Sequence, residues 1–126
     1  MVILDTSVLI DSLRQSKSHF SILKQFIDLY PKDELSISIL TIQELYAGKS
    51  SNNLINERLF LAVIDPLEIL PYTDATAKLA GELTRDSGEH LGFPDAAIAA
   101  TAILNKAKLF TLNKKDFQGI KKLMLI

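Results

Sequence analysis

Short apolar segments alternate with helical segments along this chain of 126 residues. The apolar segments read as strands, and the longer stretches between them carry apolar residues at helical spacing. Consecutive strands joined through helices run parallel, because a parallel pair requires a long crossover connection. The alternation therefore predicts a three-layer α/β/α fold whose mostly parallel sheet has about five strands.

The predicted elements follow one another without a linker or an internal repeat. Strands are predicted over residues 2–4, 35–39, 67–70, 108–112 and 123–126, and helices over 6–15, 18–30, 41–49, 53–65, 73–86 and 94–106. Residues 87–93, which include two glycines, are predicted to form a loop. The length predicts one domain over residues 1–126.

Four acidic residues stand where the predicted strands, or the loops beside them, lead into helices. Asp5 follows the first strand, Glu44 follows the second, Asp95 opens an alanine-rich helix, and Asp116 follows the strand over 108–112. Ligands of parallel α/β sheets bind beyond the carboxyl ends of the strands, so we expect the four side chains to converge. Carboxylate oxygens gathered at one edge suit Mg²⁺ or Mn²⁺.

Each acid also has a purely structural explanation. Asp5 and Asp95 could serve helix N-termini, where a carboxylate meets the macrodipole and free amide groups. Glu44 could complete a capping box by reaching back to the Thr41 amide. Asp116 could help to close a turn. Four independent caps have no reason to fall at one edge of one sheet, so the joint placement favours a metal site.

Composition excludes several other kinds of site. The chain has no cysteine, which excludes disulfides, thiolate zinc sites and cysteine nucleophiles. It has no P-loop, dinucleotide-binding or nucleophile-elbow motif. No apolar run approaches the roughly 18 residues of a membrane span, and no basic signal-peptide region follows Met1. A cytoplasmic protein without a membrane partner is expected.

The charge is distributed unevenly around a formal net charge of −1. Residues 105–126 hold six lysines and one acid, whereas residues 1–104 hold 8 basic and 14 acidic residues. A basic segment beside clustered acids suits a nucleic-acid enzyme, since carboxylates alone repel phosphate. Lys114 and Lys115, next to Asp116, are the candidates for contacts with a nucleic-acid backbone. The alternative is that the lysines form a solvated face.

The four acidic motifs together resemble those of the PIN-domain ribonucleases, and among them the small VapC-type toxins. The motifs are Asp5-Thr6-Ser7-Val8-Leu9-Ile10, Thr41-x-x-Glu44-Leu45, Asp95-Ala-Ala-Ile-Ala-Ala-Thr and Thr111-x-Asn113-x-x-Asp116-Phe117, in family order across almost the whole chain. The resemblance implies that Asp5, Glu44, Asp95 and Asp116 are the catalytic, metal-binding residues. It implies supporting polar roles for Ser7, Thr111 and Asn113.

The resemblance also implies a function. The implied function is that of an endoribonuclease that depends on one or two Mg²⁺ or Mn²⁺ ions and acts as the toxin of a type II toxin-antitoxin system. RNA phosphodiester bonds would be hydrolysed by a metal-activated water. A cognate antitoxin protein and a second copy in a homodimer are the implied protein partners.

Two alternatives have to be distinguished from the nuclease. One is a non-catalytic PIN domain kept for binding protein or RNA. The other is a receiver-like regulatory module that binds Mg²⁺. A receiver-like module needs paired acids at the end of its first strand, and the turn Asp5-Thr6-Ser7 does not supply them.

Overall fold

A computed structural model of the protein describes residues 1–14, 22–31 and 34–126. Its strands are β1 (Val2–Leu4), β2 (Leu35–Ser38), β3 (Glu68–Leu70), β4 (Lys108–Phe110) and β5 (Met124–Leu125). Its helices are α1 (Thr6–Arg14), α2 (Ile22–Leu29), α3 (Ile39–Ala47), α4 (Leu54–Ile64), α5 (Asp74–Ser87), α6 (Phe93–Leu104) and α7 (Lys114–Phe117). The predicted helical residues 15 and 18–21 lie outside the described ranges.

The strands form one sheet in the order β3-β2-β1-β4-β5, and every neighbouring pair is parallel. The predicted α/β fold with a parallel sheet is confirmed. From β1 the chain moves outward to β2 and β3, and it then crosses back to β4 on the other side of β1. The order of the strands therefore reverses between β1 and β4. Parallel sheets bind their ligands at such a reversal, beyond the carboxyl ends of the strands.

Helices cover both faces of the sheet, as the alternating side chains of β1 show. Val2 and Leu4 pack in a core with residues of α1, α2 and α4. Ile3 points to the other face, where Ile98 of α6 and Phe117 of α7 form a second core. Consecutive strand residues face opposite sides of a sheet, so an uninterrupted apolar strand indicates burial on both faces. The three predicted layers are present.

Helix α3 begins two residues earlier than the sequence predicts. Ser38 caps it: the side chain accepts a hydrogen bond from the Leu40 amide at 3.1 Å. The cap also ends β2 at Ser38. Thr41 is consequently the third residue of the helix and not its N-cap, so Thr41 and Glu44 do not occupy the two positions of a capping box.

The predicted loop after β4 is partly helical. β4 ends at Phe110, and the four residues of α7 follow, with Asp116 in the single turn. Phe117 anchors this turn because its side chain is buried in the second core. The predicted loop over 87–93 likewise contains a short 3-10 turn, Gly88–His90, and α6 begins at Phe93, one residue before Pro94.

Two serines of β2 offer a matched test of burial and hydrogen bonding. Ser36 and Ser38 are each only 1% exposed. Ser38 caps α3, whereas Ser36 Oγ has no hydrogen-bond partner among the described residues. A buried hydroxyl without a partner is destabilising, and a cap is stabilising.

We expect alanine to have opposite effects at these two positions. Ser36→Ala should raise the free energy of unfolding by about 1 kcal/mol, because it removes an unsatisfied polar group. Ser38→Ala should lower it by about 1 kcal/mol through loss of the cap. Urea unfolding of both variants measures the difference. Equal destabilisation would contradict this account of Ser36.

Candidate active site

Asp5 lies at the reversal point between β1 and β4, and two hydroxyl groups hold its carboxylate. The residue is 4% exposed. Its Oδ2 accepts hydrogen bonds from Thr111 Oγ1 at 2.7 Å and from Ser7 Oγ at 2.8 Å. The Asp5 amide donates to the Phe110 carbonyl at 2.9 Å, which continues the pairing of β1 with β4. Oδ1 takes no hydrogen bond from the described residues and is therefore available to a ligand.

The two hydroxyls that hold Asp5 are themselves fixed by backbone amides. The Leu112 amide donates to Ser7 Oγ at 3.2 Å, and the Asn113 amide donates to Thr111 Oγ1 at 3.0 Å. Each hydroxyl thus accepts from the chain after β4 and donates to the same carboxylate oxygen. This network joins the first and last sequence motifs, and it orients Asp5 with little freedom to rotate.

Glu44 is held by Thr6 rather than by its own helix. Thr6 Oγ1 donates to Glu44 Oε1 at 2.8 Å and lies 3.0 Å from Thr41 Oγ1, to which it is also hydrogen-bonded. Burial raises the pKa of Glu44; the Thr6 hydrogen bond lowers it, and the charge of Asp5 raises it. The capping-box alternative is therefore wrong: the Glu44 carboxylate turns toward Asp5 and α1.

Asp95 lies in the first turn of α6, half-buried among the other acids. Burial, followed by the negative charges of Asp5, Asp116 and Glu44 in that order, raises the pKa of Asp95 to about 6. Asp95 is therefore within electrostatic reach of each of the other three carboxylates. A cation placed among them would relieve both the burial and the mutual repulsion.

The donor chemistry fits a divalent ion that keeps water ligands. Among the described residues no three acidic or histidine side chains stand close enough to hold one ion between them. Mg²⁺ is usually bound through one or two carboxylates and retains several waters, so a complete protein cage is not required. The acids offer hard carboxylate oxygens, and two hydroxyl groups fix the orientation of one carboxylate, that of Asp5. These groups meet the requirement of such an ion.

Asn113, Lys114, Lys115 and Asp116 lie at the start of α7 and are exposed. The four residues line one surface cleft together with Thr111. The Asp116 amide donates to the Asn113 carbonyl at 3.0 Å, and the structure gives the Asn113 side chain no capping bond. The two lysines therefore share a cleft with Asp116 at the end of β4.

Residues 2–123 match the family described as PIN domain. The chain belongs to this family. The membership removes the receiver-like alternative. Among similar proteins, Ribonuclease VapC19 of Mycobacterium tuberculosis is 33% identical over 121 residues, which are 93% of this chain and 92% of the relative.

Solved structures resemble this PIN domain over its whole length. One similar chain belongs to a crystal structure of VapBC2 from Rickettsia felis bound to a DNA fragment from their promoter. The TM-score is 0.82 and the sequence identity 25%, and the match covers 100% of this chain and 98% of that chain. A chain of a toxin-antitoxin complex from Klebsiella pneumoniae gives a TM-score of 0.77 at 27% identity, with 100% and 96% covered. Within the described ranges no helix is long and apolar enough to cross a membrane.

Thr6 is a residue of the site that the sequence reasoning missed. It begins α1 directly after Asp5, and its hydroxyl joins that helix to Glu44 and Thr41 of α3. Its position beside an acid at the start of a helix is the only signal in the sequence. That signal does not disclose that α3 lies within hydrogen-bonding distance, since this follows from the pairing of β1 with β2.

The Thr6 hydroxyl is expected to control the pKa of Glu44. Thr6→Val keeps the shape of the side chain but removes the hydrogen bond that lowers this pKa, so the pKa of Glu44 should rise further. Thr6→Ser retains the hydroxyl and should leave it near the wild-type value. Carboxyl NMR titration of Glu44 in the three proteins tests this. An unchanged pKa in Thr6→Val would show that the hydrogen bond has no influence.

Asp95 is expected to make the metal-free protein sensitive to pH. Its folded-state pKa is raised, so the folded protein binds the proton more tightly than the unfolded chain. The resulting stability is fully present below the ordinary aspartate pKa and is lost as the pH rises through about 6. At pH 7.5 Asp95→Asn should be more stable than wild type by about 1 kcal/mol, a value reduced for partial exposure.

Thermal unfolding in the presence of a chelator, at several pH values from 4 to 7.5, measures this effect. The difference between Asp95→Asn and wild type should shrink toward pH 4, where the aspartic acid is protonated in the folded state. A wild-type protein that is the more stable of the two at pH 7.5 would refute the electrostatic account of Asp95.

Proposed function

We propose that the protein is a metal-dependent endoribonuclease that acts as the toxin of a type II toxin-antitoxin system. The observation that carries the proposal is the electrostatic coupling of Asp95 with the other three acids at the reversal point of the sheet. Membership of the PIN family and the 33% identity to a protein named Ribonuclease VapC19 support it. The reaction would take place in the cytoplasm.

The acids are proposed to bind one or two Mg²⁺ or Mn²⁺ ions. Asp5 and Asp95 are proposed as direct ligands, while Glu44 and Asp116 ligate directly, act through water or orient the attacking water. Such ions activate water as a nucleophile and neutralise charge on the phosphate and the leaving oxygen. The hydrogen bonds from Ser7 and Thr111 aim the Asp5 carboxylate and keep it from rotating away.

The chain's own groups would also position the RNA. Lys114 and Lys115 border the cleft that contains Asp116, where they would hold phosphates of the RNA backbone without reading sequence. Asn113 shares that cleft, and its amide side chain would bind the substrate or a water. Hydrolysis would leave a 5′-phosphate and a 3′-hydroxyl.

A cognate antitoxin is proposed as the protein partner. Support comes from the similar chains of solved toxin-antitoxin complexes, among them those of Klebsiella pneumoniae and Rickettsia felis. Helix α4 exposes the large apolar side chains of Leu54, Ile55, Leu59 and Leu61, and exposed apolar side chains grouped on one element are typical of a surface that binds a protein. A partner that covers this surface and the acids would inhibit the enzyme. We also propose that the protein forms a homodimer.

Removal of one acid should abolish cleavage while leaving the fold intact. Asp5→Asn preserves the size of the side chain, so Thr111 and Ser7 can still bond to it, but the loss of a charged ligand should reduce the cleavage rate at least about a hundredfold. Labelled cellular RNA incubated with Mg²⁺, with Mn²⁺ or with a chelator provides the measurement.

Asp86→Asn is the matched control, because Asp86 is exposed on α5 and paired with Arg85 away from the four acids. It should cleave at the wild-type rate. If the wild type cleaves no RNA with either metal, or if Asp5→Asn retains metal-dependent cleavage, the nuclease proposal fails and a non-catalytic PIN domain becomes the better account.

A further inference from the structure

A surface cleft on one side of Glu44 has a composition that metal binding does not explain. The cleft has a volume of about 430 Å³, and its lining includes Gln43, Glu44, Gly48, Phe93 and Pro94. We call it the Phe93 cleft. It lies between the end of α3 and the start of α6, the two helices that carry Glu44 and Asp95.

Phe93 is largely exposed, and the packing of the protein does not require an aromatic ring at this position. Its side chain is 60% exposed, the highest value for an aromatic residue in the described ranges. Its ring has a tilted contact with the Tyr72 ring, with 6.3 Å between the two ring centroids and 58° between the ring planes. The first position of a helix needs no aromatic side chain, and exposure of a large apolar ring is unfavourable. A ligand that covers the ring would remove that exposure.

We propose that the Phe93 cleft binds an unpaired RNA base next to the scissile phosphate. The inference rests on the proposed ribonuclease function and names the part of the substrate that this cleft takes. An aromatic ring stacks on any nucleobase, and single-stranded RNA is recognised through bases that are splayed out onto such rings. Gln43 supplies an amide that both donates to and accepts from the edge of a base.

The position of the cleft favours RNA over a protein ligand. Glu44 and Phe93 line the same cleft, so the ring lies beside one of the four acids. A nucleotide whose phosphate lies at the acids therefore has its base within reach of this ring. A second cleft shares Glu44 and Gly48 with the Phe93 cleft, and its lining also includes Arg14, Lys49 and Asn56 beside the apolar Ile10, Leu13 and Leu59. Its two cations suit the next phosphate of a strand that crosses Glu44.

The test measures binding and cleavage of short single-stranded RNA by wild type, Phe93→Ala and Phe93→Tyr. The probes are a 12-nucleotide single-stranded RNA, taken around a mapped cleavage site if the protein cleaves, and copies in which one nucleotide at a time is abasic. Phe93→Ala should weaken binding and raise KM about tenfold, the effect of losing one stacked base. Its kcat should change little, and Phe93→Tyr should restore binding. Removal of the base at one position of the RNA should weaken binding to the wild type as much as Phe93→Ala does. The same abasic RNA should bind Phe93→Ala no more weakly than the intact RNA does.

Leu104→Ala is the control for removal of an exposed apolar side chain, because Leu104 lies at the other end of α6. It should not change KM. Unchanged RNA affinity in Phe93→Ala overturns the proposal. If that variant instead loses self-association on size-exclusion chromatography, Phe93 contacts a second copy; if it loses affinity for a co-expressed antitoxin alone, the ring contacts that protein.

Binding measured in a chelator separates this inference from the nuclease proposal. A protein that binds the 12-nucleotide RNA through Phe93 but never cleaves it retains the base site and lacks the proposed activity. A protein that cleaves RNA with no dependence on Phe93 retains the activity and lacks the base site.

Discussion

The hydrogen bond from Thr111 to Asp5 is the interaction on which the candidate site depends. It joins the chain after β4 to the end of β1, at the point where the order of the strands reverses. Ser7 donates to the same oxygen, and backbone amides after β4 donate to both hydroxyls. The sheet thereby fixes the orientation of the buried Asp5 carboxylate. Because this network joins positions 106 residues apart, it requires the parallel pairing of β1 with β4.

Bringing the acids together lowers the stability of the metal-free fold, and this cost indicates that the arrangement serves a function. Burial and like charges raise the pKa values of Asp95 and Glu44, so their ionised forms are disfavoured in the metal-free fold. A structure selected only for stability would have no reason to collect these charges. Helix α6 makes the placement possible, since its buried alanines allow close packing against the sheet while Asp95 remains at its exposed start.

Much of the fold followed from the sequence because its signals are local. The apolar run 2–4 and the alanine-rich helix predicted their elements directly. The family motifs implied supporting polar roles for Ser7 and Thr111, and both hydroxyls donate to Asp5. Other features depend on contacts between distant segments. Helix α3 starts earlier than predicted because Ser38 caps it. The segment that contains Asp116 forms a helical turn instead of a loop because the side chain of Phe117 is buried. Thr6 was missed because its partner Glu44 is 38 residues away.

The central claim is that carboxylates from separate elements form one cation site, and Mn²⁺ binding tests it most directly. Calorimetric titration of Mn²⁺ at pH 7.5 into wild type, Asp5→Asn, Asp95→Asn and the control Asp86→Asn gives four dissociation constants. The account predicts that both site variants bind Mn²⁺ at least about tenfold more weakly than wild type, since each loses a charged ligand, while the control is unchanged. Wild-type affinity in Asp5→Asn and Asp95→Asn would contradict it.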